Sequence, residues 1–184
     1  VFGHRASQHS VWLFPLNSGS CNGCEQEIQA LHAARYALEE GGIAFASSPR
    51  HADILLLTGI MTPRSQAAAR RVWEQLAEPR AIVAVGDCPI NGSVFGGQEG
   101  FTPAGETLPI DVELPGCPPS PTLLLEAIAA AIKLLDQEVA GEEEEEEEAG
   151  ATESEEEGEE EAPSSESESE EAEVSDDQGR QDKP

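Results

Sequence analysis

Apolar residues fall into two kinds of stretch, and the two kinds alternate along most of this chain. Short, nearly unbroken apolar runs occupy residues 11–16, 43–46, 53–59, 81–86 and 110–114, each closed by Gly, Pro, Ser or Asn. Runs of that length bounded by turn residues predict strands, and those without a polar face predict strands covered on both sides. Between them, apolar residues return at spacings of three and four. Ile28, Leu31, Ala34 or Tyr36, and Leu38 predict a helix over 25–40, stopped by Gly41-Gly42. Residues 65–77 predict a second, with Arg64, Arg70 and Arg71 available to its polar side. Leu123, Leu124, Ala127, Ile128, Ala131, Ile132 and Leu135 predict a long third, from Pro121 to near Gly141. Residues 90–109, rich in Gly and Pro, predict a long loop, which in a compact domain is more often functional than idle. Strand alternating with helix predicts an α/β fold, a doubly wound parallel sheet whose ligands sit beyond the carboxyl ends of the strands.

Charge divides the same chain differently. Of its 37 acidic residues, 22 lie from Glu142 onward, opposed there only by Arg180 and Lys183. Self-repulsion and the lack of an apolar period predict a disordered acidic tail over 141–184, with a helix across 142–148 opposed by like charges four apart. That tail reads as a solvating extension or as an electrostatic contact for a basic partner. Residues 1–10, polar and carrying His4 and His9, predict a loose N-terminal arm. Residues 11–140 are then the single folded domain, long enough to bury a core. No apolar run approaches the roughly 20 residues of a membrane span, and no signal-peptide pattern opens the chain, so a cytoplasmic location is expected. The acidic balance argues against nucleic acid as a partner.

The candidate chemistry lies in four cysteines, Cys21, Cys24, Cys88 and Cys117. Without an export signal, an even number of thiols favours metal over disulfides. Cys21 and Cys24 form a C-x-x-C in the turn after the first predicted strand. Cys88 lies two residues past the fourth, and Cys117 three past the last. A doubly wound sheet delivers all of these to one edge, as a single four-thiolate site. Spacing alone does not separate Zn²⁺ from an iron–sulfur cluster. The settings Gly86-Asp87-Cys88-Pro89 and Gly116-Cys117-Pro118-Pro119 favour [4Fe–4S], because glycine lets backbone N–H groups approach cluster sulfurs and proline limits solvent.

With those residues in place the chain resembles a family: the small, cluster-bearing subunit shared by energy-converting [NiFe] hydrogenases, formate hydrogenlyase complexes and the 20 kDa subunit of respiratory NADH:quinone oxidoreductase. The resemblance covers about residues 10–138. It rests on Gly19-Ser20-Cys21-Asn22-Gly23-Cys24-Glu25-Gln26-Glu27-Ile28, on Ser48-Pro49-Arg50-His51-Ala52-Asp53 leading into Leu57-Thr58-Gly59, on Gly86-Asp87-Cys88, and on Pro115-Gly116-Cys117-Pro118-Pro119. The respiratory branch carries two adjacent Cys in the first motif; the Asn22-Gly23 spacer resembles the hydrogenase form.

The resemblance implies a flavodoxin-like fold and one [4Fe–4S] cluster, with Cys21, Cys24, Cys88 and Cys117 as its ligands. It implies an electron relay to or from the [NiFe] site of a partner large subunit, with no catalytic residue in this chain. Further electron-transfer subunits would complete the complex, at the cytoplasmic face of a membrane reached only through partners. Glu25 and Glu27, at a helix N-terminus, are expected to cap it or to handle protons. Arg50 and His51 are expected to orient the cluster edge, to contact the large subunit, or merely to cap the next strand. The segment Asn91-Gly92-Ser93-Val94-Phe95-Gly96-Gly97 lacks the order and the Lys of a nucleotide loop. Two other readings remain beside the main one: a quinone-reductase-type subunit of a respiratory complex, and a structural zinc-binding scaffold module.

Overall fold

The computed structural model describes residues 10–156, with side chains to residue 140. Five strands, β1 (Val11–Asn17), β2 (Ile43–Phe45), β3 (Ile54–Thr58), β4 (Ala81–Val85) and β5 (Val112–Leu114), form one sheet in the order β2-β1-β3-β4-β5. Every pairing is parallel. This is the doubly wound order expected of a flavodoxin-like fold. Successive side chains of a strand point to opposite faces, and here both faces are covered, so β3 and β4 are buried at every residue. Leu13, Ile54, Leu56, Val83 and Val85 pack on one face against α1 (Gly23–Ala30) and α4 (Pro121–Glu156) through Ile28, Leu124, Ile128 and Ile132. Leu55, Leu57 and Ile82 pack on the other against Ala69 of α2 (Pro63–Trp73), with Leu76 and Leu108. A fourth, short helix, α3 (Asp87–Asn91), follows β4 directly.

Three elements differ from expectation. The helix expected over 25–40 is instead α1 and a separate 3-10 turn, Ala34–Tyr36. Ala33 leaves helical geometry at φ −66°, ψ 136°, and Ala37 turns left-handed at φ 48°. Leu31 and Leu38 are both buried, so their spacing mimics one continuous helix face although two segments supply them. The second helix begins earlier than residue 65, because Thr62 and Ser65 form a reciprocal capping box with Pro63 in the first turn, and it ends at Trp73. The last helix runs through Gly141 to Glu156 rather than stopping there. One interior glycine costs only about 1 kcal/mol relative to alanine, and glutamate is a good helix former. The chain divides into two units, Val1–Glu147 and Glu148–Pro184, and the sheet belongs to the first. Residues 1–9 of the arm expected over 1–10, and the tail from 157, lie outside the described residues.

Parallel strands leave an unpaired N–H where one strand outruns its neighbour, and aspartate satisfies it at three places. Asp53 donates its N–H to the Trp12 carbonyl (2.9 Å) while its carboxylate accepts the Trp12 N–H (2.8 Å). Asp111 makes the same two-way contact with Ile82 (3.1 and 2.7 Å). Asp87 makes it with Gly116 (3.0 and 2.8 Å). The first two clasps stand at the amino ends of β3 and β5. The third lies past the carboxyl ends of β4 and β5, among the loops that carry cysteine.

Candidate metal centre

All the cysteines follow the carboxyl ends of strands. After β1, Asn17 Oδ1 accepts the N–H groups of Gly19 and Ser20, both at 2.8 Å, folding the chain back on itself. Asn22 then takes a left-handed conformation (φ 72°), which places Cys21 before α1 and Cys24 in its first turn. The loop after β3 lies hard against this one. A Cβ on Gly59, at φ +84°, would stand 2.4 Å from the Ser20 nitrogen, so only glycine permits the approach.

Glu25 joins these loops to the helix. Its Oε2 accepts from the Ser20 hydroxyl at 2.5 Å and its Oε1 accepts from the buried Thr58 hydroxyl, so one carboxylate ties α1 to both strand ends. Glu27 takes no part in this network. Arg50 and His51 sit in the 3-10 turn Pro49–His51 that enters the amino end of β3. The cysteine loops leave the other end, a strand length of roughly 17 Å away at about 3.3 Å per residue. Arg50 and His51 therefore stand at the opposite end of the sheet from the thiols, which speaks against orientation of a cluster edge and leaves contact with a large subunit or entry into β3 as their roles.

The other two thiols come from β4 and β5. Gly86 follows β4 at φ +90°, and a Cβ there would lie 2.7 Å from the Cys24 sulfur. That close approach brings the loop after β4 onto the knuckle. Cys88 follows in α3, and Cys117 follows Gly116 after β5. Cys24 is buried, Cys88 half-buried, and Cys21 and Cys117 exposed.

The thiols lie near enough to sense one another's charge. Burial raises Cys24 from an ordinary value near 9.0 to about 11, and Glu25, Cys88, Cys21 and Cys117 push it the same way. Burial and then Cys117 raise Cys88, against the opposing effect of a hydrogen bond from Ser93. Among the described residues no three His, Cys, Asp or Glu side chains converge as the ligands of a single ion do.

Four soft donors, with a glycine whose Cβ would fill the space at Cys24, suit a thiolate-bound group broader than one ion. Sequence reasoning singled out the four cysteines and Glu25 as candidates. It missed Asp87, Thr58 and the hydroxyl of Ser93, although Asp87 and Thr58 stand inside quoted motifs and Thr58 is the one polar residue ending an otherwise apolar strand.

Titration of the metal-free chain follows from these shifts. A folded-state pKa above the unfolded one means the folded chain holds its proton longer. Stability from Cys24 is therefore fully present below pH 9 and is lost as pH rises from about 9 to about 11. Denaturant midpoints of the apo chain should fall across that window, and iodoacetamide should reach exposed Cys21 and Cys117 before Cys24. Uniform labelling of the three thiols at pH 8 would contradict the order of access, and midpoints unchanged from about pH 9 to about 11 would contradict the shift at Cys24.

The sequence pattern of the family described as "NADH ubiquinone oxidoreductase, 20 Kd subunit" matches residues 21–131, a span that contains all four thiols. The chain belongs to this family. Its relatives include the "Probable membrane-bound hydrogenase subunit mbhJ" of Pyrococcus furiosus, 45% identical over 135 residues, or 72% of this chain and 80% of the relative. "Formate hydrogenlyase subunit 7" of Escherichia coli is 37% identical over 135 residues, covering 72% of this chain and 52% of that relative. Among solved structures, a chain of the archaeal membrane-bound sulfane sulfur reductase aligns with a TM-score of 0.60 at 30% identity, over 72% of this chain and 73% of its own length. The chain is thus a subunit of the hydrogenase and NADH-dehydrogenase-like kind found in oxidoreductase complexes. Among its described residues no helix is long and apolar enough to cross a membrane.

Proposed function

We propose that this chain is the electron-transfer subunit of a [NiFe] hydrogenase-type complex, relaying electrons through one [4Fe–4S] cluster to or from the [NiFe] site of a partner large subunit. The supporting observation is that Cys21, Cys24, Cys88 and Cys117 all stand just beyond the carboxyl ends of β1, β4 and β5 of one parallel sheet, with the loop after β4 pressed against the Cys24 sulfur at Gly86. The cluster, when bound, supplies one-electron redox chemistry; this chain's residues hold and orient it. Residues 11–140 form the cluster domain.

Exposed apolar side chains beside the ligand loops fit a partner that covers the cysteine face. Val94 and Phe95 follow Cys88 with 79% and 42% of their surfaces exposed, and Leu123 follows Cys117 with 43%. Isolated, such residues lie in water; against a large subunit they become interface. The partner holds the catalytic site and carries the assembly to the cytoplasmic face of a membrane. Glu25, with a hydroxyl donor on each oxygen, serves as a strut between α1 and the strand ends, and Glu25 and Glu27 are the carboxylates placed to handle protons at this helix end. The acidic tail acts as a solvating extension, or as a contact for a basic subunit.

Iron, acid-labile sulfide and nickel in the anaerobically purified complex test this reading. About four irons and four sulfides per chain are expected for a [4Fe–4S] group, with nickel in a copurifying large subunit. Zinc without sulfide would sink the relay and leave the scaffold reading. A second reading keeps the cluster and changes the partner, as the similarity to the sulfane sulfur reductase chain suggests. Full iron and sulfide with a nickel-free large subunit would favour it, and with it the quinone-linked respiratory branch.

A further inference from the structure

The sheet ladder does not stop at the ends of β4 and β5 but continues into the ligand loops. Gly86 donates its N–H to the Leu114 carbonyl at 2.8 Å, Asp87 donates to the Gly116 carbonyl at 3.0 Å, and Gly116 returns its N–H to Asp87 Oδ1 at 2.8 Å. Asp87 immediately precedes Cys88 and Gly116 immediately precedes Cys117. One carboxylate therefore joins the loops of the third and fourth thiols. On its far side the Cys117 loop is closed upon itself: a Cβ on Gly116, at φ +139°, would lie 2.9 Å from Pro119 Cα and 3.0 Å from its nitrogen. A loop so tightly wound moves as a unit, and the Asp87 clasp fixes where that unit sits.

We propose that Asp87 is a positioning residue that locks the Cys117 loop onto the Cys88 loop, and whose carboxylate charge lowers the reduction potential of the cluster they hold. The inference rests on the reading of the four cysteines as ligands. Its two parts separate by chemistry. The acceptor oxygen fixes geometry, because an unpaired Gly116 N–H in a half-buried turn is costly. The negative charge acts on the cluster, favouring its oxidised, less negative state. Asparagine keeps the acceptor and drops the charge; alanine drops both.

The experiment compares Asp87→Asn and Asp87→Ala in the full chain, first metal-free and then in the purified complex. In the metal-free chain, a short bifunctional maleimide should link Cys88 to Cys117 several-fold more slowly in the alanine variant than in the wild type or the asparagine variant. Hydrogen exchange at the Gly116 amide should be faster in the alanine variant alone. In the complex, the asparagine variant should keep its full cluster content with a midpoint potential shifted to more positive values, and the alanine variant should lose iron to a chelator several-fold faster. Wild-type crosslinking and amide protection in the alanine variant would overturn the clasp. An unmoved potential in the asparagine variant would overturn the charge effect. If the wild type holds zinc instead, the cluster reading fails by itself, while crosslinking and amide exchange still decide the clasp.

Discussion

Alanine at position 86 is expected to leave the sheet folded and the site without its cluster. Gly86 holds φ +90°, ψ 169°, a region almost closed to residues with a side chain, and occupying it costs about 1–3 kcal/mol. The added methyl would stand 2.7 Å from the Cys24 sulfur and 3.2 Å from the Gly116 carbonyl oxygen. Neither neighbour yields easily. Cys24 is fixed by the first turn of α1, and the Gly116 carbonyl by its bond to the Asp87 N–H. Strain and overpacking, each about 1–3 kcal/mol, together suggest a loss of about 2–6 kcal/mol, which a domain with two apolar faces is expected to survive. Thermal unfolding by circular dichroism would show a lowered but cooperative transition, with iron and sulfide near zero. An alanine variant that binds its full complement of iron would mean that the Cys24 sulfur and the Gly86 loop part when the site is loaded, and would overturn the need for glycine there.

Cys117→Ser is expected to abolish or weaken the cluster while barely touching the fold. Cys117 is exposed, so its replacement removes no core contact, and surface changes of that kind usually stay within about 0.5 kcal/mol. The same substitution at Cys24 would confound ligand loss with a disturbed core, because that thiol is buried against Ile28 and its neighbours. The reduced-state paramagnetic resonance spectrum is the readout: loss or a changed line shape is expected, with the far-ultraviolet dichroism unchanged. A wild-type spectrum at full intensity would exclude Cys117 as a ligand.

What could be read from the sequence, and what could not, divides along physical lines. Strand positions were legible because β3 and β4 are apolar at nearly every residue, and double coverage leaves no other explanation for Ile54 to Leu57 or Ala81 to Val85. The placement of Cys21, Cys88 and Cys117 beyond strand carboxyl ends was legible for the same reason, since a parallel sheet sends every carboxyl end to one edge. The break after Ala30 was hidden, because Leu31 and Leu38 keep a helical spacing through a segment that is not one helix. The extension past Gly141 was hidden because glycine reads as a stop and behaves there as a small penalty. Asp87 escaped for a different reason. Its partner, Gly116, is distant in sequence, and only the adjacency of β4 and β5 brings them together.

The unequal exposure of the thiols has a consequence for the order of events in a cell. Cys21 and Cys117 open outward while Cys24 faces the interior, so a cluster held among them would show one flank to its surroundings. On the proposed reading, that flank admits dioxygen and chelators as readily as it admits an electron partner. Docking of the large subunit over Val94, Phe95 and Leu123 would close it. Cluster insertion would then have to precede docking, and docking would convert an oxygen-labile intermediate into a durable one.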